Sequence, residues 1–282
     1  MKTSTVPAHP TPLTADQADV MLQRHLKKHH IAIILLHWFN AIVWGLELVT
    51  GVALIASPIF RFAPGWYLSM VESAFGTRGH LLQFHLALGL TWIAVYLVYG
   101  VFGFRTYLSR EVLQNEIALD HDDWRWLIIR TKRILGLTRD ALPPQGVYNA
   151  GQKIFALMVY VMVPLVMITG IIMTFRLMGP AVIGWAVVLH FCAVAAVVSG
   201  LLIHVYMGAV FPEEKPAFFS MITGTVNELY AYNHHFKWWQ ELMAEEREWE
   251  RRHDAAAGGR RAAPTAAEDG DSGSGAAAVS VP

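Results

Sequence analysis

Hydrophobic positions along the chain gather into four long runs separated by polar segments that carry proline and glycine. The runs cover residues 31–56, 81–104, 154–175 and 185–211. Each is long enough to cross a hydrocarbon layer of about 30 Å as a single helix. Pro164 lies inside the third run and predicts a kink there unless neighbouring groups satisfy the freed carbonyl. Pro212 and Pro216 end the fourth. The predicted fold class is therefore all-α: an integral-membrane four-helix bundle over residues 31–211, with cytoplasmic amphipathic helices.

The polar connections sort themselves by the same reading. Residues 1–30 form a polar arm, with a helix beginning near Thr14 to Asp16, where a threonine cap precedes Ala15, Asp16 and Gln17. His25, His29 and His30 beside Lys27 and Lys28 suit the headgroup level of a membrane. The connection from Ser57 to Gly79 holds Pro58, Pro64, Gly65 and Gly76 among aromatics, the composition of a compact cap. In residues 105–150, Asp122 and Asp123 are expected to cap a helix. Its Trp124, Leu127, Ile128, Ile134 and Leu135 alternate with Arg125, Arg130, Lys132 and Arg133, an interfacial amphipathic pattern. Residues 212–253 predict amphipathic helices broken near Asn233, His234 and His235, with Trp238, Trp239 and Trp249 as anchors. From Asp254 to residue 282 the Ala, Gly, Ser and Arg content predicts a disordered tail. No internal repeat is evident.

Composition agrees with a membrane protein: 54% of the 282 residues are hydrophobic and only 16% charged, far from the balance of a soluble domain. The net charge is zero, but Lys and Arg are unevenly placed. Four precede the first run, two lie between the first and second, eight between the second and third, one between the third and fourth, and seven follow. The positive-inside rule then puts both termini and the long middle connection in the cytoplasm, as a multi-pass protein of a bacterial inner membrane. No short apolar core with a cleavage site occurs in the first thirty residues, so the first run is expected to direct insertion itself. Nothing points to nucleic acid as a partner. The one cysteine, Cys192, lies within the fourth run, so any cysteine-ligated iron–sulfur cluster must belong to a partner.

Ionisable groups inside the runs are few, and each is a candidate functional residue because charge in a bilayer is costly. Glu47 is the one carboxylate within a run; protonation or a polar partner would neutralise it. The histidines are His37, His85, His190 and His204. His190 and His204 are fourteen residues apart, about 21 Å of helix rise and within about 40° of one face. His37 and His204 share the cytoplasmic half, His85 and His190 the outer half, although His80 is close enough in sequence to exchange with His85. Two pairs at two depths meet the requirement of bis-histidine ligation for two b-type haems, since neutral imidazole is a good axial ligand. The absence of CxxCH rules out c-type attachment. Gly89, one turn below His85, would let a flat ring approach the backbone. Four structurally satisfied core histidines are the rival reading. A haem-free anchor or small transporter would share the hydropathy, but transporters show more discontinuous helices or paired repeats.

From His37 to Met243 the chain resembles the gamma, cytochrome b subunit of respiratory membrane-bound formate dehydrogenases. That subunit belongs to a wider group including nickel-iron hydrogenase cytochrome b and prokaryotic cytochrome b561 proteins. The resemblance rests on His37-Trp38, on His85 with Gly89, and on His190 followed by His204-x-Tyr206-Met207. The segment Tyr148-Asn149-Ala150-Gly151-Gln152-Lys153 carries the formate dehydrogenase version, and His234-His235 with Trp238-Trp239 resembles the closing element. The resemblance implies electron transfer from the iron–sulfur subunit of a periplasmic dehydrogenase, which also has a molybdenum or tungsten catalytic subunit, through two haems b to quinone. It implies a quinone site at Asn149, Gly151 and Gln152 with His204 at its edge. It leaves no dehydrogenase active site in this chain, and it admits a hydrogenase or another periplasmic oxidoreductase as the alternative partner. The longer amino-terminal arm, longer middle connection and Ala/Gly-rich tail depart from the family pattern.

Overall fold

A computed structural model describes residues 10–55, 59, 61–107 and 116–262. Four helices among the described residues are long and apolar enough to cross a membrane: Ile31–Leu54, Arg78–Gly103, Ala150–Thr174 and Pro180–Val210. In order along the chain, α1 is Ala15–Gln23, α2 Ile31–Leu54, α3 Gly65–Phe75, α4 Arg78–Tyr107, α5 His121–Ile134, α6 Ala150–Thr174 and α7 Pro180–Val205. After α7 come a π turn at Tyr206–Val210, α8 at Lys215–Thr223, α9 at Glu228–His234 and α10 at Phe236–Ala262. The chain divides into two units, Met1–Trp239 and Gln240–Pro282.

The spanning helices leave apolar side chains facing outward: Leu35, Ile42, Val161, Ile168, Leu202 and Ile203 are all more than half exposed. Water would penalise such a surface at about 25 cal/mol per Å²; lipid tails do not. The protein is thus an all-α integral-membrane bundle. Backbone packing is closest within two hairpins, α2 with α4 and α6 with α7. Between the hairpins the middle layer holds a core of Val43, Trp92, Val163 and Met167, joined by Phe39, Trp44 and Tyr96. Asn40 satisfies the Trp92 indole there, the Nε1–H donating to Oδ1 at 2.7 Å.

Helix boundaries follow local chemistry. Helix α6 starts at Ala150, four residues before the apolar run, because Asn149 and Gln152 form a capping box; it then continues through Pro164 to Thr174. Helix α5 is capped by Asp120 with Asp123 closing the box, which corrects the expected caps at Asp122 and Asp123. The true cap sits three residues before its partner carboxylate, two positions earlier than the first of the acidic pair. Pro216 does not stop a helix but sits in the first turn of α8, where a missing N–H costs nothing. Helix α10 passes Asp254 and runs to Ala262; the rest of the expected disordered tail, residues 263–282, lies outside those described, as do residues 1–9, 56–58, 60 and 108–115.

The arm is pinned by a short sheet absent from the sequence reading. Strand β1 (His25–Lys27) pairs antiparallel with β2 (Thr225–Asn227), and the Lys28 and His29 amides donate to the Gly224 carbonyl at 2.8 and 3.0 Å. Gly224 has φ +80, and a Cβ there would stand 3.0 Å from the His29 carbonyl oxygen, so the turn requires glycine. The end of the bundle beside this sheet is called the arm side, the opposite end the far side. On the far side, α3 packs over Ala53 and Leu81, and Arg78 donates to the Ala53 and Leu54 carbonyls that end α2.

Candidate functional site

On the arm side, His37 from the second turn of α2 meets His204 from the last turn of α7. Their ring centres are 6.4 Å apart at 57°. Each belongs to a different hairpin, so the pair bridges the space between them. Phe155 of α6 stacks on His204 at 4.7 Å and 10°, fixing that ring's plane. Trp38 contacts His37 edge-on at 5.4 Å and is itself tied to α8 by its Nε1–H donating to the Met221 carbonyl at 2.7 Å. The Nδ1 of His37 is buried without a hydrogen-bond partner among the described residues. The π turn that begins two residues after His204 is the kind of local irregularity that concentrates at functional sites.

On the far side, His85 of α4 and His190 of α7 lie within electrostatic range of each other. The His85 Nδ1 is 2.9 Å from Thr50 Oγ1, and the His190 Nδ1 is 2.9 Å from Thr169 Oγ1. Glu47 finds its polar partner here, with Oε2 also on the His85 Nδ1. The neighbouring His80 stands at the exposed start of α4, its Nδ1 3.2 Å from the Phe75 carbonyl. Gly89 faces the Glu47 carboxylate, 3.4 Å from where a Cβ would stand, and not a space kept for a flat ring.

The four histidines therefore come as two pairs, and α7 carries one member of each. Fourteen residues of continuous helix put the two levels about 21 Å apart. Among the described residues no group of three or more His, Cys, Asp or Glu is placed to hold a bare metal ion. A macrocycle that supplies four equatorial nitrogens needs only two axial ligands. An imidazole nitrogen binds a transition metal at about 2 Å and its ring centre lies about 1 Å behind, so rings on opposite sides of one iron have centres about 6 Å apart. The His37–His204 separation fits that value.

The segment ahead of α6 is tightly held. Asn149 Oδ1 accepts from the Gln152 amide at 3.0 Å and Gln152 Oε1 from the Asn149 amide at 2.9 Å, so each side chain has only its NH₂ left to offer. Gln145 is buried, its Oε1 accepting from the Ala150 amide at 2.7 Å. Lys153 reaches Asp123 of α5 at 2.8 Å, and both are buried. Gly151 lies against Asn149 and the Trp126 ring. Phe155, the ring stacked on His204, is six residues beyond Asn149, about 9 Å of helix rise, so this segment and the His37–His204 pair share one end of the bundle.

Beneath them lies a buried polar cluster that sequence reading had dispersed. Lys28 donates to His235 Nε2 at 3.2 Å, and His235 Nδ1–H donates to the Gly146 carbonyl at 2.8 Å. Burial pushes Lys28 down to about 8 against the opposing attraction of Glu214, and pushes His235 down to about 3, with Lys28 adding to the effect. Tyr230 donates to Glu214 at 2.6 Å. Burial would raise the Glu214 carboxyl, but the His234 ring 3.7 Å away and the hydrogen bond from Tyr230 overcome it and hold it at about 2. The cluster joins the arm, the middle connection and α9 into one platform.

Residues that the sequence reading missed are Thr50, Gly51, Thr169 and Gly170. The signal was present: Val49-Thr50-Gly51-Val52 in the first run and Ile168-Thr169-Gly170-Ile171 in the third have the same β-branched, Thr, Gly, β-branched order.

Comparison with known proteins places this architecture. The sequence pattern of the family described as Prokaryotic cytochrome b561 matches residues 28–224, from the end of the arm through α8. The cytochrome b556(Fdn) subunit of the nitrate-inducible formate dehydrogenase of Escherichia coli (strain K12) is 28% identical over 131 residues, covering 45% of this chain. The same subunit from Escherichia coli O157:H7 and from Shigella flexneri gives the same figures. The chain spans 58% of the length of these relatives. A cytochrome b implies haem b, and the paired histidines suit that group. Four membrane-crossing helices and a family match across most of the chain show that this protein belongs to the prokaryotic cytochrome b561 family, as an integral-membrane cytochrome b of electron transport.

Proposed function

We propose that this chain is the membrane-anchoring, di-haem cytochrome b subunit of a formate dehydrogenase-like complex, passing electrons from a periplasmic iron–sulfur subunit to quinone. The observation that carries the reading is the sorting of four histidines into two pairs at two depths on opposite hairpins. In this reading His37 and His204 ligate one haem b, and His85 and His190 the other. Bound haem supplies one-electron redox chemistry, and bis-histidine ligation leaves no open position for substrate. The chain's own residues do the remainder. The aromatic layer of Trp44, Trp92 and Tyr96 excludes water between the two levels, and the α3 cap shields the far-side pair from solvent.

The positive-inside distribution supports an arm side in the cytoplasm of a bacterial inner membrane, with both termini there and the far side in the periplasm. A docked partner would then supply electrons beside His85 and His190. Quinone would bind at the arm side, where the NH₂ groups of Asn149 and Gln152 orient its carbonyls, the Gly151 backbone allows close approach, and His204 forms the edge. Proton uptake from the cytoplasmic side during reduction would make turnover electrogenic. The relatives' membership of a formate dehydrogenase supports formate as the partner's substrate.

The test is purification of the chain from native membranes with whatever it holds, followed by addition of formate or hydrogen under anaerobic conditions. Reduction of the cytochrome by formate is expected. Reduction by hydrogen alone would transfer the same wiring to a hydrogenase.

A further inference from the structure

The dipeptide Thr-Gly near the far end of α2 recurs near the far end of α6, in the first helix of each hairpin. Each dipeptide receives the histidine of the second helix: Thr50 and Gly51 receive His85, Thr169 and Gly170 receive His190. A threonine hydroxyl has one proton. Thr50 gives it to the Leu46 carbonyl at 2.8 Å, and Thr169 to the Leu165 carbonyl at 2.6 Å. Toward the imidazole each Oγ1 can then only accept, so each Nδ1 must carry the proton. The lone pair of the ring is thereby placed on Nε2, the nitrogen pointing away from the seat.

The glycines complete the arrangement. A Cβ at Gly51 would stand 3.2 Å from the Cε1 of His85, and one at Gly170 3.5 Å from the Cε1 of His190. Each ring rests against bare helix backbone. The arm-side pair is built otherwise, with His37 Nδ1 unpartnered among the described residues and His204 held by stacking. The two far-side seats differ in their second acceptor: on His85 Nδ1 it is the Glu47 carboxylate, whereas the His190 ring has the Val166 backbone carbonyl and no carboxylate bonded to it among the described residues.

We infer that Thr50-Gly51 and Thr169-Gly170 are a duplicated imidazole seat whose threonines are positioning residues for the far-side haem, and that Glu47 backs up the first seat but not the second. The inference rests on the di-haem reading above. Partners of this kind, bonded to the free N–H of a ligating histidine, fix its tautomer and raise its basicity, and their loss costs about 10- to 100-fold in affinity for the metal group.

The experiment compares Thr169→Val, Thr169→Ser, Thr50→Val and Thr50→Val/Glu47→Leu in the full chain with its co-purifying partners, reading haem occupancy per chain and the low-spin ferric resonance of each haem. His190→Ala, run in parallel, identifies the far-side signal; an unchanged spectrum in that variant would refute the haem reading itself, independently of the seat. Given that signal, Thr169→Val is expected to weaken far-side haem retention about 10- to 100-fold and shift its resonance, while the arm-side signal stays and reports a folded protein. Thr169→Ser should restore both. Thr50→Val alone should weaken far-side haem retention less than Thr169→Val does, and the double variant should reproduce Thr169→Val. Wild-type occupancy and resonance in Thr169→Val, or failure of the serine to restore them, would overturn the seat. A loss in Thr50→Val as large as in Thr169→Val would overturn the part given to Glu47.

Discussion

Lys153 and Asp123 form a buried ion pair at 2.8 Å that locks the first turn of α6 to the first turn of α5. The same carboxylate accepts from the Asp120 amide to close the α5 cap, so one side chain ties an interfacial helix to the start of a spanning one.

Removing the cation from this pair should be costly. Lys153→Met leaves Asp123 buried without its partner, a change that typically costs about 3 to 5 kcal/mol. The check is thermal or denaturant unfolding of the detergent-solubilised protein. Asp123→Asn/Lys153→Met, which removes both charges, should recover much of the loss. If Lys153→Met is as stable as wild type, the pair does not hold these helices together.

Asn149 is given two roles, and two substitutions separate them. Asn149→Ala deletes the cap oxygen and should cost about 1 kcal/mol of stability. Asn149→Asp keeps an oxygen for the Gln152 amide but discards the NH₂ proposed to face quinone. Near-wild-type stability with quinone reduction lowered at least tenfold is the expected outcome for the aspartate, measured by thermal unfolding and by steady-state reduction of a soluble quinone. Full activity in that variant would remove Asn149 from the quinone site.

The platform under the arm-side pair should make the protein sensitive to acid. His235 is held at about 3 in the folded protein against 6.5 when exposed, so between those values the unfolded chain binds a proton that the folded chain refuses. Stability therefore falls as pH drops from about 6.5 toward 3. His29, pushed by burial to about 4, acts in the same direction. His235→Gln should flatten part of the slope of unfolding temperature against pH in this window. An unchanged slope would contradict the assignment of a buried neutral imidazole.

The Gly51 and Gly170 contacts predict unequal tolerance to a methyl group. A Cβ at Gly51 meets the His85 ring at 3.2 Å, tight enough that the imidazole must shift, whereas at Gly170 the 3.5 Å contact is ordinary. Gly51→Ala should perturb the far-side haem spectrum and Gly170→Ala should leave it close to wild type. The optical difference spectrum of each variant checks this, and equal spectra for the two would contradict it.

The bundle was readable from hydropathy because lipid removes the usual ambiguity: a helix that satisfies its own backbone is one of the few ways to cross it. The depth pairing of His37 with His204 and of His85 with His190 followed from position within each run and helix rise. What hydropathy could not convey was contact between segments far apart in the chain. The pairing of His25–Lys27 with Thr225–Asn227 depends on a three-residue strand too short to leave a period. Glu47 looked isolated because its partner, His85, comes from the next helix. The Thr-Gly seats were missed for a related reason: two small residues in an apolar run carry little hydropathic signal, and their meaning appears only when the neighbouring histidine lies against them. The Asn149 and Gln152 amides were read as a quinone segment from resemblance alone; their capping box assigns the oxygens to the helix and narrows any quinone contact to the nitrogens.

The central claim is that the two histidine pairs each hold one haem b. Its most direct test is the haem b content per chain of the purified complex, measured for wild type and for His204→Ala. Two haems per chain in the wild type and one in the variant, with the far-side signal retained, is the predicted result. One or none in the folded wild-type protein, or both retained in His204→Ala, would contradict it.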